Sequence, residues 1–361
     1  MDLKSNSEGL VKWGIISTGK ICKQFASCFK NSKNAINLNK NVSKLYQYNS
    51  ITAVLSRNQN TASEFAKEFE LPPDVAVSNE KDFFNIDFDI VYIGSVNTEH
   101  YRHCKISIEH GKSVLCEKPF IMKSEEAIEL KNLAKEKGVF MMEGLWTRFF
   151  PIHQSAKKII NSGLIGDIKF INSDLGFNAG PINCDHRLID PSKGGSAIRD
   201  VGIYVLHMIS FYLNDRKFDE VKSLIQIGET GVDYGCVFAI KSGDAMATAN
   251  SSFYANTNRL ISIFGTKGNI VIENIHKPHK MTITIFSTNV FTFESVTAIR
   301  VKPDRVEYDI EIPYYFCGNG LEYEIEHVNN CLKLNKTESD IIPLDTSIYI
   351  QSLIDDSLTK K

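Results

Sequence analysis

The sequence predicts an α/β protein of two domains, in which a doubly wound domain precedes an α+β domain built on a large, mostly antiparallel open sheet. The chain has 361 residues, enough for two hydrophobic cores. From Lys12 to Glu143 short apolar runs alternate with helical periodicity, whereas after Trp146 strand-like segments follow one another. We therefore expect one domain over residues 11–145 and a second over residues 146–361.

The elements of the first domain follow from two periodicities. Apolar residues such as Ile21, Phe25 and Phe29 recur at i, i+4 and i+8, which gives a helix one apolar face. Continuous apolar runs between such helices predict buried parallel strands. The predicted strands are 13–17, 51–56, 90–94, 113–116 and a shorter one at 139–142.

The second domain is rich in predicted strands, with few helices. We expect helices at 152–162, 197–213, 322–334 and 346–358. We expect strands at 168–176, 221–227, 237–240, 245–254, 260–264, 269–273, 281–286 and 290–294. The polar insert at 31–50 is predicted to be a surface loop or a helix extension.

Composition and charge exclude several classes of function. The 41 Lys and Arg residues against 43 Asp and Glu residues give no positive surplus for a nucleic acid. The uncharged stretch 201–214 is too short to cross a membrane, and the polar N-terminus does not resemble a signal peptide. Eight cysteines without C-x-x-C spacing predict free thiols in a reducing cytoplasm and no metal site, and the group His100, His103 and Cys104 is expected on a helix surface.

A turn after the first strand is typical of a phosphate-binding loop. Aligned to G-x-G-x-x-G, the positions are Ser17, Gly19 and Cys22, so only the middle glycine is present. That glycine lets the backbone approach a pyrophosphate at a helix N-terminus. We predict a Rossmann domain whose loop residues bind a dinucleotide; the alternative is a plain tight turn. The loop residues are Ser17, Thr18, Gly19, Lys20 and Ile21.

The end of the second strand favours NADP over NAD. An NAD-selective protein usually carries an acid here for the ribose 2′-hydroxyl, but this chain has Ser56 and Arg57. A guanidinium and a hydroxyl suit a 2′-phosphate. The alternative is that Arg57 is only a solvated arginine at a strand end.

Further motifs resemble the glucose-fructose oxidoreductase/inositol dehydrogenase (Gfo/Idh/MocA) family. They are Ile93-Gly-Ser-Val-Asn97-Thr-Glu-His100, Gly111-Lys-Ser-Val-Leu-Cys-Glu117-Lys118-Pro119, Trp146-Thr-Arg148-Phe149-Phe-Pro151, Gly194-Gly-Ser-Ala-Ile-Arg-Asp200-Val-Gly-Ile-Tyr204 and Gly265-Thr-Lys-Gly268. Within the family, the tryptophan motif and Tyr204 resemble a subgroup that oxidises dihydrodiols or D-xylose with NADP. The resemblance implies a C-terminal sheet that forms a homodimer interface. It also implies that Lys118 reaches the nicotinamide ribose and substrate, and that Asp200 and Tyr204 supply substrate contacts and the acid/base.

Chemistry explains why a lysine and a tyrosine suit alcohol oxidation. A free phenol has a pKa of about 10, and a nearby ammonium group lowers it toward neutral pH. We therefore predict Tyr204 as the base and Lys118 as its cation. The alternatives are a core tyrosine on an apolar helix, an exposed strand-end lysine and, for Asp200, a helix N-cap. Asp200 is expected one helical turn before Tyr204, on the same face.

Three groups of residues complete the predicted site. Asn97, His100 and Glu117 are expected to line the cofactor, although His100 is nearly as well explained as a surface histidine. Trp146 and Phe149 are candidates for an apolar wall that faces a ring-shaped substrate. Arg148 is a further candidate for substrate contact, but we favour a structural ion pair with a carboxylate such as Glu143.

The predicted function is an NADP-dependent oxidoreductase acting on a vicinal diol or a sugar hemiacetal. One alternative is another sugar or inositol-type dehydrogenase of the family. The other is a nonenzymatic NADP-binding sensor, since a binding fold can persist after its chemistry is lost.

Overall fold

The computed structural model describes residues 10–34, 48–287, 289–312 and 319–359. The predicted insert at 31–50 lies largely outside these residues. Within the described residues no helix combines the length and the apolarity that a membrane span requires. Seven described cysteines are free thiols, and all but Cys184 are buried, which agrees with the prediction of free thiols.

The described residues form two compact units. The first contains those of Met1–Trp146 and Tyr314–Leu344, and the second contains those of Thr147–Pro313 and Asp345–Lys361. The domain limits predicted from the sequence did not include this return of the chain to the first unit. After the helix Leu321–Lys333, the backbone runs beside the last strand of the first sheet, where Met141 N donates to Thr337 O at 3.0 Å.

The first unit is built on a six-stranded parallel sheet in the order β3-β2-β1-β4-β5-β6. The strand order reverses between β1 and β4, and ligands of such sheets bind at the carboxyl ends of the strands near this point. The two-residue β3 is too short to leave a sequence pattern and was not predicted. The strands are β1 Val11–Ile16, β2 Asn49–Leu55, β3 Ala76–Val77, β4 Ile90–Ile93, β5 Ser113–Glu117 and β6 Met141–Gly144.

Helices of the first unit pack their apolar sides on this sheet. Trp13 of β1 is fully buried, stacks edge-on against Phe25 with ring centroids 5.1 Å apart, and donates its indole N–H to Asn49 Oδ1 at 2.7 Å. The predicted apolar periodicity of the first helix is therefore confirmed. The helices are Lys20–Asn34, Gln59–Glu68, Glu80–Asn85, His100–Glu109, Ser124–Lys137 and Leu321–Lys333.

The second unit contains a nine-stranded sheet in the order β14-β15-β13-β12-β11-β7-β10-β9-β8. Neighbouring strands are antiparallel except β7 and β10, so the predicted mostly antiparallel sheet is confirmed. The strands are β7 Ile168–Gly176, β8 Glu220–Ile227, β9 Asp233–Ser242, β10 Ala245–Ser252, β11 Ile261–Gly265, β12 Gly268–Ile272, β13 Lys280–Ile285, β14 Val296–Val301 and β15 Val306–Glu311.

The helix Ile203–Tyr212 packs on β7 and β10 of this sheet, and every one of its residues is buried. The other helices of the unit are Pro151–Asn161 and Leu344–Thr359. The strand predicted at 290–294 is wrong. Phe291 N instead donates to Tyr308 Oη at 2.7 Å, and the Phe293 ring lies 4.8 Å from that of Tyr308, so side-chain packing accounts for the apolar alternation.

Candidate active site

The loop after β1 adopts a glycine-like conformation without its first glycine. Ser17 has a φ of 94°, in the region that favours glycine. Its hydroxyl accepts a hydrogen bond from Gly19 N at 3.2 Å, and its own N–H donates to Leu55 O at 2.8 Å. Ser17 thus keeps the turn that the missing glycine would make, at the cost of backbone strain.

Gly19 leaves open space at the start of the first helix. A Cβ added there would meet only Ser17 Oγ, at 3.5 Å, and Gly19 is exposed. The helix Lys20–Asn34 follows directly and has no acidic residue in its first turn. An accessible backbone beside a helix N-terminus without carboxylates fits the pyrophosphate of a dinucleotide.

Cys22 replaces the third glycine of the loop motif, and Gly94 after β4 provides the space for it. A Cβ on Gly94 would lie 2.5 Å from Cys22 Sγ, and Cys22 is fully buried. The third glycine normally permits close packing of helix on strand. Here Gly94 is the small residue that permits close packing of the helix on the strand. Cys22 in place of the third glycine therefore does not disturb the loop.

A chain of hydroxyl groups joins the loops after β1 and β2. Thr61 donates to Asn58 O at 2.9 Å, so it accepts the proton of Ser56 at 2.6 Å, and Ser56 in turn accepts from Thr18 at 3.4 Å. The Ser56 hydroxyl is therefore already engaged. Arg57 is exposed and has no hydrogen bond among the described residues. The pKa of the nearby Glu99 is lowered, first by its hydrogen bond with Arg102 and in smaller part by the charge of Arg57.

His100 is buried, so its interpretation as a surface histidine is wrong. Its ring nitrogens face Pro119 O at 2.9 Å and Ser95 O at 3.2 Å, and it is 1% exposed. Burial lowers the pKa of this imidazole. The ring connects the loop after β4 with the loop after β5, and half-buried Asn97 lies in the same first loop.

The other two residues of the predicted surface group are also buried. His103 is 7% exposed and Cys104 is fully buried, so their placement on a helix surface is wrong. The His103 ring faces Ser95 Oγ at 2.9 Å and Arg102 Nη2 at 2.7 Å. Burial lowers the pKa of His103 to about 4.

Glu117 ends β5 with a buried carboxyl group, and the half-buried Lys118 follows it. Glu117 accepts from Tyr92 Oη at 2.6 Å and from Lys118 N at 3.2 Å. Burial raises the pKa of Glu117 to about 7, although the Tyr92 hydrogen bond and the Lys118 charge act in the opposite direction. Tyr92, which the sequence analysis did not assign, fixes this carboxyl; its place in a buried strand gave no signal of that role.

In the second unit, Asp200 and Tyr204 lie on consecutive helical segments. Asp200 is inside the π-helical segment Ile198–Gly202, which continues directly into the α-helix of Tyr204, so the N-cap interpretation is wrong. Its carboxylate accepts from Arg187 Nη1 at 3.1 Å. Tyr204 is 8% exposed, and its ring lies 6.4 Å from that of His276 in an edge-on arrangement.

Asp233, which no sequence motif indicated, positions the segment that carries Asp200. It is 1% exposed, and its Oδ2 accepts the N–H of Ile198 at 2.7 Å. Burial raises the pKa of Asp233. The only sequence signal was an acidic residue before a strand, which is common on protein surfaces.

The motif from Trp146 to Phe149 forms one 3₁₀ turn. Trp146 is half-buried and Phe149 is 6% exposed. Arg148 is fully buried and donates to Asp215 Oδ1 at 2.8 Å and to His207 O at 2.8 Å. The predicted structural ion pair is confirmed, with Asp215 as the carboxylate.

The fold and the loop after β1 define a dinucleotide-binding protein with one Rossmann unit and one α+β unit. Two family models match it. One, described as oxidoreductase family, NAD-binding Rossmann fold, matches residues 11–145, and one described as the GFO/IDH/MocA C-terminal domain matches residues 153–271. The chain belongs to the Gfo/Idh/MocA oxidoreductase family.

Curated relatives match nearly the whole chain. The trans-1,2-dihydrobenzene-1,2-diol dehydrogenase of Xenopus laevis is 30% identical over 352 residues, which cover 96% of this chain and 97% of that protein. The enzyme of the same name from Homo sapiens is 25% identical and covers 96% and 95%. A levoglucosan dehydrogenase in complex with NADH and levoglucosan shares the fold, with a TM-score of 0.81, 20% identity and coverage of 97% and 96%.

Proposed function

We propose that this protein is an NADP-dependent dehydrogenase that oxidises a vicinal diol or a sugar hemiacetal, of the trans-1,2-dihydrobenzene-1,2-diol or D-xylose type. The observation that carries the proposal is the near full-length similarity to trans-1,2-dihydrobenzene-1,2-diol dehydrogenases, together with the presence of Lys118, Asp200 and Tyr204. A protein that had lost its chemistry would be under no pressure to keep all three.

The chain must supply the proton transfer of this reaction. A bound nicotinamide accepts the hydride, and the protein provides the base that takes the hydroxyl proton. Tyr204 is the proposed base, Lys118 the cation that favours its phenolate, and Asp200 an acceptor that orients the substrate hydroxyl. Glu117, held by Tyr92, fixes the backbone N–H of Lys118 and so positions the lysine.

Two features of the first unit support NADP. Arg57 is exposed and follows the carboxyl end of β2. The segment from Ser56 to Asn60 contains no carboxylate that would accept the 2′-hydroxyl of NAD or repel a 2′-phosphate. Because Ser56 already donates to Thr61, the guanidinium of Arg57 is the main group proposed to bind the 2′-phosphate.

The open face of the second sheet supports a homodimer. Leu224 and Val237 are cross-strand partners, as are Met246 and Phe170, and Phe170 also pairs with Phe264. All five side chains are more than a third exposed, with Leu224 at 77%. Neighbouring exposed apolar side chains of this kind mark protein interfaces. A second copy of the chain is the proposed partner.

A substrate panel distinguishes the candidate functions. Purified protein is mixed with NADP or NAD, and the absorbance of the reduced nicotinamide is followed with trans-1,2-dihydrobenzene-1,2-diol, D-xylose, D-glucose and myo-inositol. Turnover with NADP on the diol or D-xylose is the expected result. Turnover on myo-inositol or D-glucose alone would favour another sugar or inositol-type dehydrogenase, and NADP binding without any turnover would favour a sensor.

A further inference from the structure

Three potential metal ligands converge at the end of the helix Leu321–Lys333. His327 and Cys331 are four residues apart and therefore share a helix face, and Asp340 follows on the next loop. Cys331 Sγ lies 3.3 Å from His327 Nε2, and His327 Nε2 lies 3.8 Å from Asp340 Oδ1. One ligand atom from each residue lies within 4.8 Å of the others.

The hydrogen bonds around His327 show which ring nitrogen carries no proton and can therefore coordinate a metal ion. Ser339 Oγ accepts the N–H groups of Ile341 and Ile342, both at 3.1 Å. Its own proton therefore points to His327 Nε2, at 2.8 Å. Nε2 accepts that proton, so the ring N–H is on Nδ1.

We propose that His327, Cys331 and Asp340 form a binding site for a divalent zinc-type metal ion. Tetrahedral zinc with bonds of about 2.0–2.3 Å places its ligand atoms roughly 3.3–3.8 Å apart. The two distances from His327 Nε2 match this separation. The Asp340 side chain is 67% exposed, which gives the ion a path from solvent and leaves the fourth position to water.

Metal binding exchanges a proton for the ion. The Cys331 S–H bond breaks, the sulfur lone pair forms the metal–sulfur bond, and the proton leaves to solvent with no redox change. The ion replaces the weak contact between Cys331 and His327 and the Ser339 hydrogen bond.

Lys336 competes with a metal ion for the Asp340 carboxylate, and this competition provides a test of the proposal. Its Nζ lies 3.1 Å from Asp340 Oδ1, the oxygen assigned to the ion. A metal ion must displace this ammonium group or bind beside it. Removing the lysine charge should therefore strengthen metal binding, whereas a purely structural ion pair predicts no such effect.

The experiment titrates the full chain with Co²⁺ and then Zn²⁺, following cobalt–thiolate absorption and heat of binding. Cys184 is exposed and Cys317 lies outside the described residues, so both are first replaced by serine. One equivalent of Co²⁺ should give thiolate absorption that Zn²⁺ removes. Cys331→Ser should abolish this absorption and weaken Zn²⁺ binding at least about tenfold.

Variants at the two solvent-accessible side chains of the cluster test the proposal without disturbing the core. Asp340→Asn should weaken Zn²⁺ binding by about tenfold. Lys336→Gln should strengthen it by about two- to fivefold, the range of an exposed ion pair, relative to the control Lys333→Gln, at an exposed lysine that ends the helix Leu321–Lys333. Absorption that persists in Cys331→Ser, binding unchanged in Asp340→Asn, or equal binding in the two lysine variants would overturn the proposal.

Discussion

Arg148 and Asp215 form a two-pronged ion pair in the second unit. Arg148 Nη2 lies 2.8 Å from Asp215 Oδ1 and Nη1 lies 3.2 Å from Oδ2. Arg148 is fully buried, whereas Asp215 retains 24% of its side-chain exposure. Because a buried guanidinium needs a counter-charge, this pair holds the turn that contains Trp146 and Phe149.

Removing the charge of Asp215 should destabilise the second unit. Asp215→Asn keeps the size of the side chain and tolerates its φ of 54°, but leaves Arg148 without its counter-charge. We expect the free energy of unfolding to fall by on the order of 3 kcal/mol in urea denaturation. Asp244→Asn, at a 93% exposed side chain, is the control. Equal stability of the two variants would show that the pair contributes little.

Arg57 should determine the choice between NADP and NAD. Losing charge-assisted hydrogen bonds to a 2′-phosphate should weaken NADP binding by Arg57→Ala about tenfold or more, with NAD binding unchanged. Fluorescence titration with both nucleotides measures this. Arg216→Ala, at another exposed arginine, is the control. An equal loss for NAD and NADP would mean that Arg57 does not recognise the 2′ position.

Glycine at position 17 should give a more stable protein than alanine at that position. Both Ser17→Gly and Ser17→Ala remove the hydroxyl that accepts from Gly19, but only alanine keeps a Cβ at a φ of 94°. We expect the free energy of unfolding of the glycine variant to exceed that of the alanine variant by about 1 kcal/mol, measured by chemical denaturation. Equal stability would indicate that the loop relaxes to a different conformation in the alanine variant.

Glu117 should make stability fall as pH rises. Its pKa is about 7 in the folded protein against 4.5 in the unfolded chain, so between these values only the folded state holds the proton. The free energy of unfolding should therefore decrease with rising pH, by up to about 1.4 kcal/mol per pH unit, and the full penalty remains above pH 7. Glu117→Gln should flatten this dependence, whereas the exposed control Glu136→Gln should not. A slope in Glu117→Gln as steep as in the unmodified protein would refute the assignment.

Periodicity predicted most of the fold because buried faces repeat. The strand Ile168–Gly176 has the predicted bounds, and the parallel order of the first sheet follows from alternating strands and helices. Prediction failed for strands whose side chains are mostly exposed, because such strands have no apolar pattern. Val296–Val301 is a largely exposed edge strand that carries Arg300, so it lacks an apolar signature.

The residues of the candidate site were predicted from motifs, but their contacts were not. Motifs indicated Ser17, Gly19, Lys118 and Tyr204, since residue type and spacing carry that information. The burial of His100 depends on carbonyl oxygens from two loops, and the partner of Arg148 comes from a turn 67 residues away. Such long-range contacts leave no local pattern in one sequence.

The central claim is that Tyr204 is the base of an NADP-dependent dehydrogenase. The most direct measurement compares Tyr204→Phe with the unmodified protein and with Tyr254→Phe, an exposed tyrosine, using NADP and trans-1,2-dihydrobenzene-1,2-diol or D-xylose. We expect kcat to fall by about 10² to 10⁴ in Tyr204→Phe only, with NADP affinity unchanged. Full turnover in Tyr204→Phe would contradict the assignment of the base, and NADP binding without turnover in any of the three proteins would contradict the dehydrogenase itself.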